Sequence, residues 1–190
     1  MASGWPKAAL AGERCWVRLF HAVRVGRKDL SPRQRRTHQY IFSSTAVAGG
    51  ALIQPVKKDG SFVVDEIYFD NRLRFDMGGV VKVGDYLYGT AYPSTTCIEF
   101  KTGSIKWQER SKSLSWLAAD GRLYVYADDG NVVLLEPTPE AYRVKGRFTP
   151  QNRPAAHGEF TALSYPALAD GRLYIRELNS LWCYNVKAPK

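Results

Sequence analysis

Three stretches of the chain repeat one pattern of apolar and polar positions. They are Val81–Tyr88, Leu117–Tyr124 and Ala167–Tyr174. Each is a short apolar run, a two-residue Gly-Asp or Asp-Gly break, and a second run that contains Leu-Tyr. Asp-Gly between two such runs predicts a β-hairpin, because glycine accepts the positive φ that the tight primed turns demand. The likeness continues beyond the hairpin. Cys97 follows Tyr88 by nine residues and Cys183 follows Tyr174 by nine, with Glu99 and Asn185 two further on. The middle copy has one extra residue in Asp128-Asp129-Gly130-Asn131, which puts Leu134 and Glu136 in the matching slots. In Arg122–Tyr126, Leu123 and Val125 fall on one face and Tyr124 and Tyr126 on the other. Neither face is polar, which predicts a sheet covered on both sides.

The copies lie 36 and then 50 residues apart, measured from Tyr88 to Tyr124 to Tyr174. Roughly 40 residues make four short strands with their turns, the size of a propeller blade. The predicted fold is therefore all-β: about three to three and a half blades of a β-propeller, each a four-stranded antiparallel sheet. The expected boundaries are a partial blade at 40–74 and blades at about 75–110, 111–148 and 160–190. The additional residues of the last unit fall in Thr149–Ser164, whose Pro150, Asn152, Pro154 and Gly158 predict an exposed loop, the best candidate for a working surface. Upstream, Trp16, Leu19, Phe20 and Val23 keep the i, i+3, i+4, i+7 spacing of an amphipathic helix. Residues 1–39 are thus expected to be a basic segment, helical or poorly ordered.

Charge sharpens that division. The net charge of +9 is concentrated early: residues 1–48 hold nine Lys/Arg against two acids, and residues 49–190 hold eighteen against sixteen. A repeat body so close to neutral does not suit nucleic acid, which needs its positive charge on the folded face that reads it. No run approaches 18 apolar residues, so no transmembrane helix is predicted. Glu13 and Arg14 interrupt any secretory-type apolar core. Cys15, Cys97 and Cys183 form no CxxC, and His21, His38 and His157 are scattered, so no metal site is expected. Cys97 and Cys183 share a repeat slot and are expected to fill small buried positions rather than to bridge.

One stretch is more specific. In Cys97–Trp107 a small residue is followed by Glu99, then Thr102-Gly103, then Trp107. This resembles the tryptophan-docking motif of the PQQ-like (pyrroloquinoline quinone repeat) β-propellers, which include quinoprotein dehydrogenases and BamB-like outer-membrane assembly proteins. The resemblance runs through Gly78–Gly89, Ala119–Tyr124 and Gly171–Arg176 and covers roughly residues 40–190. It implies that Thr102-Gly103 turns the third strand into the fourth and that Trp107 packs on the neighbouring blade. It also implies an exported protein of the periplasm or cell surface. The second unit departs from the motif, with Pro139-Glu140 in place of Thr-Gly and no tryptophan after it.

The resemblance to quinoprotein dehydrogenases lies in the repeat and not in an active site. Those enzymes imply eight blades, an axial quinone, a calcium ion and, in several, a disulfide between adjacent cysteines, a pair this chain lacks. Asp85, Asp120 and Asp170 sit in turns, where aspartate is wanted for its backbone hydrogen bonds. No catalytic, cofactor-binding or metal-binding residue is therefore assigned, and the expected role is a non-enzymatic scaffold or binding module. A fragment of a PQQ- and calcium-dependent dehydrogenase is the alternative. Two uncovered blade faces would expose on the order of 500 Å², worth at most roughly 12 kcal/mol. The open faces and the edge strand Leu181–Val186 are accordingly expected to take a protein partner or a second copy.

Overall fold

The structure is a computed structural model; it describes residues 23–25, 40–75, 79–91, 93–111, 113–154 and 164–187. Its strands form four antiparallel sheets, each a meander of consecutive strands. Sheet I contains β1 (Val23–Val25), β2 (Tyr40–Thr45), β3 (Gly49–Lys58) and β4 (Ser61–Asp70). Sheet II contains β5 (Val80–Val83), β6 (Tyr86–Ala91), β7 (Ser94–Glu99) and β8 (Ile105–Arg110). Sheet III contains β9 (Ser113–Ala119), β10 (Arg122–Ala127), β11 (Val132–Glu136) and β12 (Arg143–Phe148). Sheet IV has three strands, β13 (Ala167–Ala169), β14 (Arg172–Glu177) and β15 (Ser180–Asn185). The described residues include no helix.

The Asp-Gly pairs turn as their chemistry requires. Asp59-Gly60, Asp120-Gly121 and Asp170-Gly171 have positive φ at both residues, the type I′ signature that matches the twist of the flanking strands. At the other end, Val23 does not end a helix. It opens β1 and pairs with Phe42, because the Val23-Arg24-Val25 triplet is β-branched at both ends and lies beside the free edge of β2. The remainder of the expected helix, Trp16 to Phe20, lies outside the described residues.

Register shows the repeat directly. The pair Tyr88↔Cys97 in sheet II corresponds to Tyr124↔Leu134 in III, Tyr174↔Cys183 in IV and Phe42↔Leu52 in I. One residue away, on the opposite face, lie Leu87↔Ile98, Leu123↔Leu135, Leu173↔Tyr184 and Ile41↔Ile53. A β-bulge follows Leu52, Cys97 and Leu134 alike, so sheets I to III share the same local kink as well as the same pattern.

These two faces explain the packing. The Phe42, Tyr88 or Tyr124 side of each of sheets I to III meets the Leu87, Leu123 or Leu173 side of the next, to which Trp116 in III and Tyr184 in IV add rings. Phe42 and Leu52 of sheet I close on Leu87 and Ile98 of II, with Leu73 and Phe75 of the connecting segment between them. Tyr88 and Cys97 of II close on Leu123, Val125 and Leu135 of III. Tyr126 and Val132 of III close on Leu173 and Ile175 of IV. The sheets thus stack in chain order with three separate apolar layers between them. Each fully buried Leu or Ile there contributes about 1.5–3 kcal/mol.

Candidate interaction site

Polar contacts clamp each layer, and their residues come from known positions in the repeat. Trp107 on β8 donates its indole N–H to the Thr138 carbonyl at 2.9 Å, and its ring lies between Tyr88 and Tyr142. Trp116 on β9 answers in the opposite direction, donating to Thr90 Oγ1 at 2.9 Å. Tyr68 stands opposite Leu52 as Trp107 stands opposite Cys97, and its hydroxyl donates to the Phe100 carbonyl at 3.1 Å. Sheet I therefore uses a phenol where sheet II uses an indole.

The Thr102-Gly103 turn is the floor for that phenol. Gly103 has φ +73°, and a Cβ there would lie 2.8 Å from the Tyr68 ring, so both conformation and space call for glycine. Thr102 donates to Glu99 Oε2 at 2.9 Å, and Lys106 sits 3.2 Å from the same carboxylate. These two groups hold the Glu99 carboxyl below its ordinary pKa. Glu136, its counterpart, is likewise held low by Lys145 at 2.6 Å and, less closely, by Arg143. Both acids stabilise a strand pair.

The layer between III and IV contains a charge. Glu177 is fully buried and receives Tyr126 Oη at 2.7 Å and Arg153 at 2.8 Å to each carboxylate oxygen. Arg153 also donates to the Asp129 carbonyl at 2.8 Å. Gly130 makes room for it, since a Cβ there would fall 1.7 Å from the guanidinium carbon. Arg153 belongs to the segment expected to be an exposed loop. Of its described start, Thr149, Gln151 and Asn152 are exposed as expected, while Pro150 is buried and the Gln151 carbonyl accepts from Trp182 Nε1 at 2.9 Å, so the segment also anchors sheet IV. Residues 155–163 lie outside the described residues. The sequence signal for this clamp was Glu177 itself, the charged member of a slot that holds Ala91 in sheet II and Ala127 in sheet III.

The cysteines separate. Cys97 is buried and free, and burial pushes its thiol up to about 12, against smaller lowering contributions from Tyr88 and Lys106. Cys183 is free but exposed, which corrects the expectation of a buried slot. The slot is the same; among the described residues no further sheet covers the outer face of IV. With Cys15 replaced by serine, maleimide at pH 8 in dilute protein is expected to label Cys183 quickly and Cys97 only after denaturation. Rapid native labelling at Cys97 would contradict its burial.

Two surfaces remain. The outer face of sheet IV presents Arg172, Tyr174, Arg176, Leu181 and Cys183, with Leu181 68% exposed. The outer face of sheet I presents Ile41, Ile53, Val64 and Phe69, the last two each 54% exposed. A shallow cleft of about 330 Å³ between II and III is lined by Glu109, Arg110, Asp129, Tyr142 and Arg147 among others. Asp120 and Asp170 stay in their turns, and no three His, Cys, Asp or Glu side chains among the described residues converge on a metal-sized point. Models of known protein families give no match to the chain, and neither do curated proteins.

Proposed function

We propose that the chain is a segment of a PQQ-like β-propeller that works as a non-enzymatic scaffold, binding a protein partner through the outer faces of its end sheets. The observation that carries this reading is the recurring two-faced slot: a ring-bearing face that receives the next sheet, left uncovered among the described residues at Tyr174 and Cys183. The charged groups support a scaffold as well. Glu99, Glu136 and Glu177 each join neighbouring strands or sheets through named cations. No helix of the described residues is long and apolar enough to cross a membrane. The compartment we propose, from the family resemblance, is the periplasm or cell surface.

The alternative, a fragment of a quinoprotein dehydrogenase, differs in one measurable property. Titration with pyrroloquinoline quinone and calcium, followed by dye-linked alcohol oxidation, is expected to show neither saturable quinone binding nor turnover. Saturable binding with turnover would replace the scaffold reading with the enzymatic one.

A further inference from the structure

We infer that the chain pairs head to tail with a second copy of itself, the outer face of sheet IV in each copy receiving the outer face of sheet I in the other. This rests on the scaffold reading and names its partner. The argument is continuity with the packing already present. Within the chain, Tyr88↔Cys97 receives Leu123↔Leu135 across one layer. Among the described residues the pair on this side that no further sheet covers is Tyr174↔Cys183. Among the described residues the corresponding outer pair of sheet I that no further sheet covers is the half-buried Ile41↔Ile53, in the register slot that Leu123↔Leu135 occupies. The two faces are therefore the two sides of the register slot that meet in each layer within the chain. Two copies bring together eight sheets, within the four to eight blades that close a propeller ring, so one pairing covers both faces of both copies.

The areas agree. Strands about 4.8 Å apart with a rise of about 3.3 Å per residue give each sheet face about 300 Å². Two such contacts remove about 1,200 Å² in total, above the roughly 1,000 Å² that a specific interface needs.

Sedimentation equilibrium of the chain across a wide concentration range is expected to give a mass passing from one copy to two. Tyr174→Asp and Ile41→Asp, on the two outer faces, are each expected to weaken pairing about tenfold or more, while far-ultraviolet circular dichroism stays that of the parent. Ile53→Asp stands in if Ile41→Asp does not fold. A mixture of the two variants is the deciding sample. It restores one undamaged contact per pair, so association between unlike copies is expected to exceed that of either variant alone. A chain that stays monomeric throughout overturns the pairing, as does a dimer indifferent to both substitutions or a mixture that associates no better than its components. A monomer with no quinone binding leaves the scaffold reading standing with another partner, whereas quinone turnover removes that reading whatever the mass.

Discussion

Replacing Arg153 with methionine is expected to lower the free energy of unfolding by about 3 kcal/mol, measured by urea titration. The guanidinium covers both oxygens of a carboxylate that has no access to water. Removing it leaves the buried Glu177 carboxylate without its bidentate cation, and stranding one member of a buried ion pair costs about 3–5 kcal/mol. The lower end applies because the Arg153 side chain keeps 23% exposure, which softens its own contribution. The paired substitution Arg153→Met with Glu177→Leu separates the two costs. It removes the stranded charge along with its partner and is expected to recover most of the loss, leaving mainly the Tyr126 hydroxyl without its acceptor. A single variant within about 1 kcal/mol of the parent would mean that the Glu177 carboxylate reaches water when the guanidinium is gone.

Trp107→Ala is expected to cost a comparable amount, about 3 kcal/mol by the same titration. Its indole is packed between Tyr88 of its own sheet and Tyr142 of the next, with ring centroids 6.1 and 5.7 Å away. Trp107→Phe retains a ring but loses the bond to the Thr138 carbonyl, so about 1 kcal/mol is expected beyond the smaller ring's packing loss. If alanine and phenylalanine cost the same, the bond and not the packing holds sheet II to sheet III, and the docking role assigned to the ring is wrong.

Much of the sheet architecture was legible because its signals are local. Asp120-Gly121 and Asp170-Gly171 announce type I′ turns from two residues, and a nine-residue interval from tyrosine to cysteine fixes the pairing of the next strand. The Thr102-Gly103 turn and the outward reach of Trp107 also follow the motif. Sheet I was harder to read because its copy of the slot has drifted. Phe42 and Leu52 replace the tyrosine and cysteine, Tyr68 replaces the tryptophan, and the β3–β4 hairpin is longer. Val23, which opens its first strand, also completes a helical spacing with Trp16, Leu19 and Phe20, and that longer apolar pattern masks a three-residue strand with valine at both ends. The clamp at Glu177 depends on Arg153, 24 residues away across a proline-rich segment, and no local pattern links two residues so separated. The exposure of Cys183 depends on what covers sheet IV, which the slot alone does not determine.

Each apolar layer lies between sheets adjacent in the chain, and that arrangement governs how damage spreads. Sheet II is the link through which I and III influence one another, and III stands in the same relation to II and IV. Stability in such a row is a sum of unit terms and nearest-neighbour couplings. A lesion at Ile98 should therefore loosen the first two units and reach the fourth only faintly, whereas one at Leu123 or Val125 would divide the row at its middle.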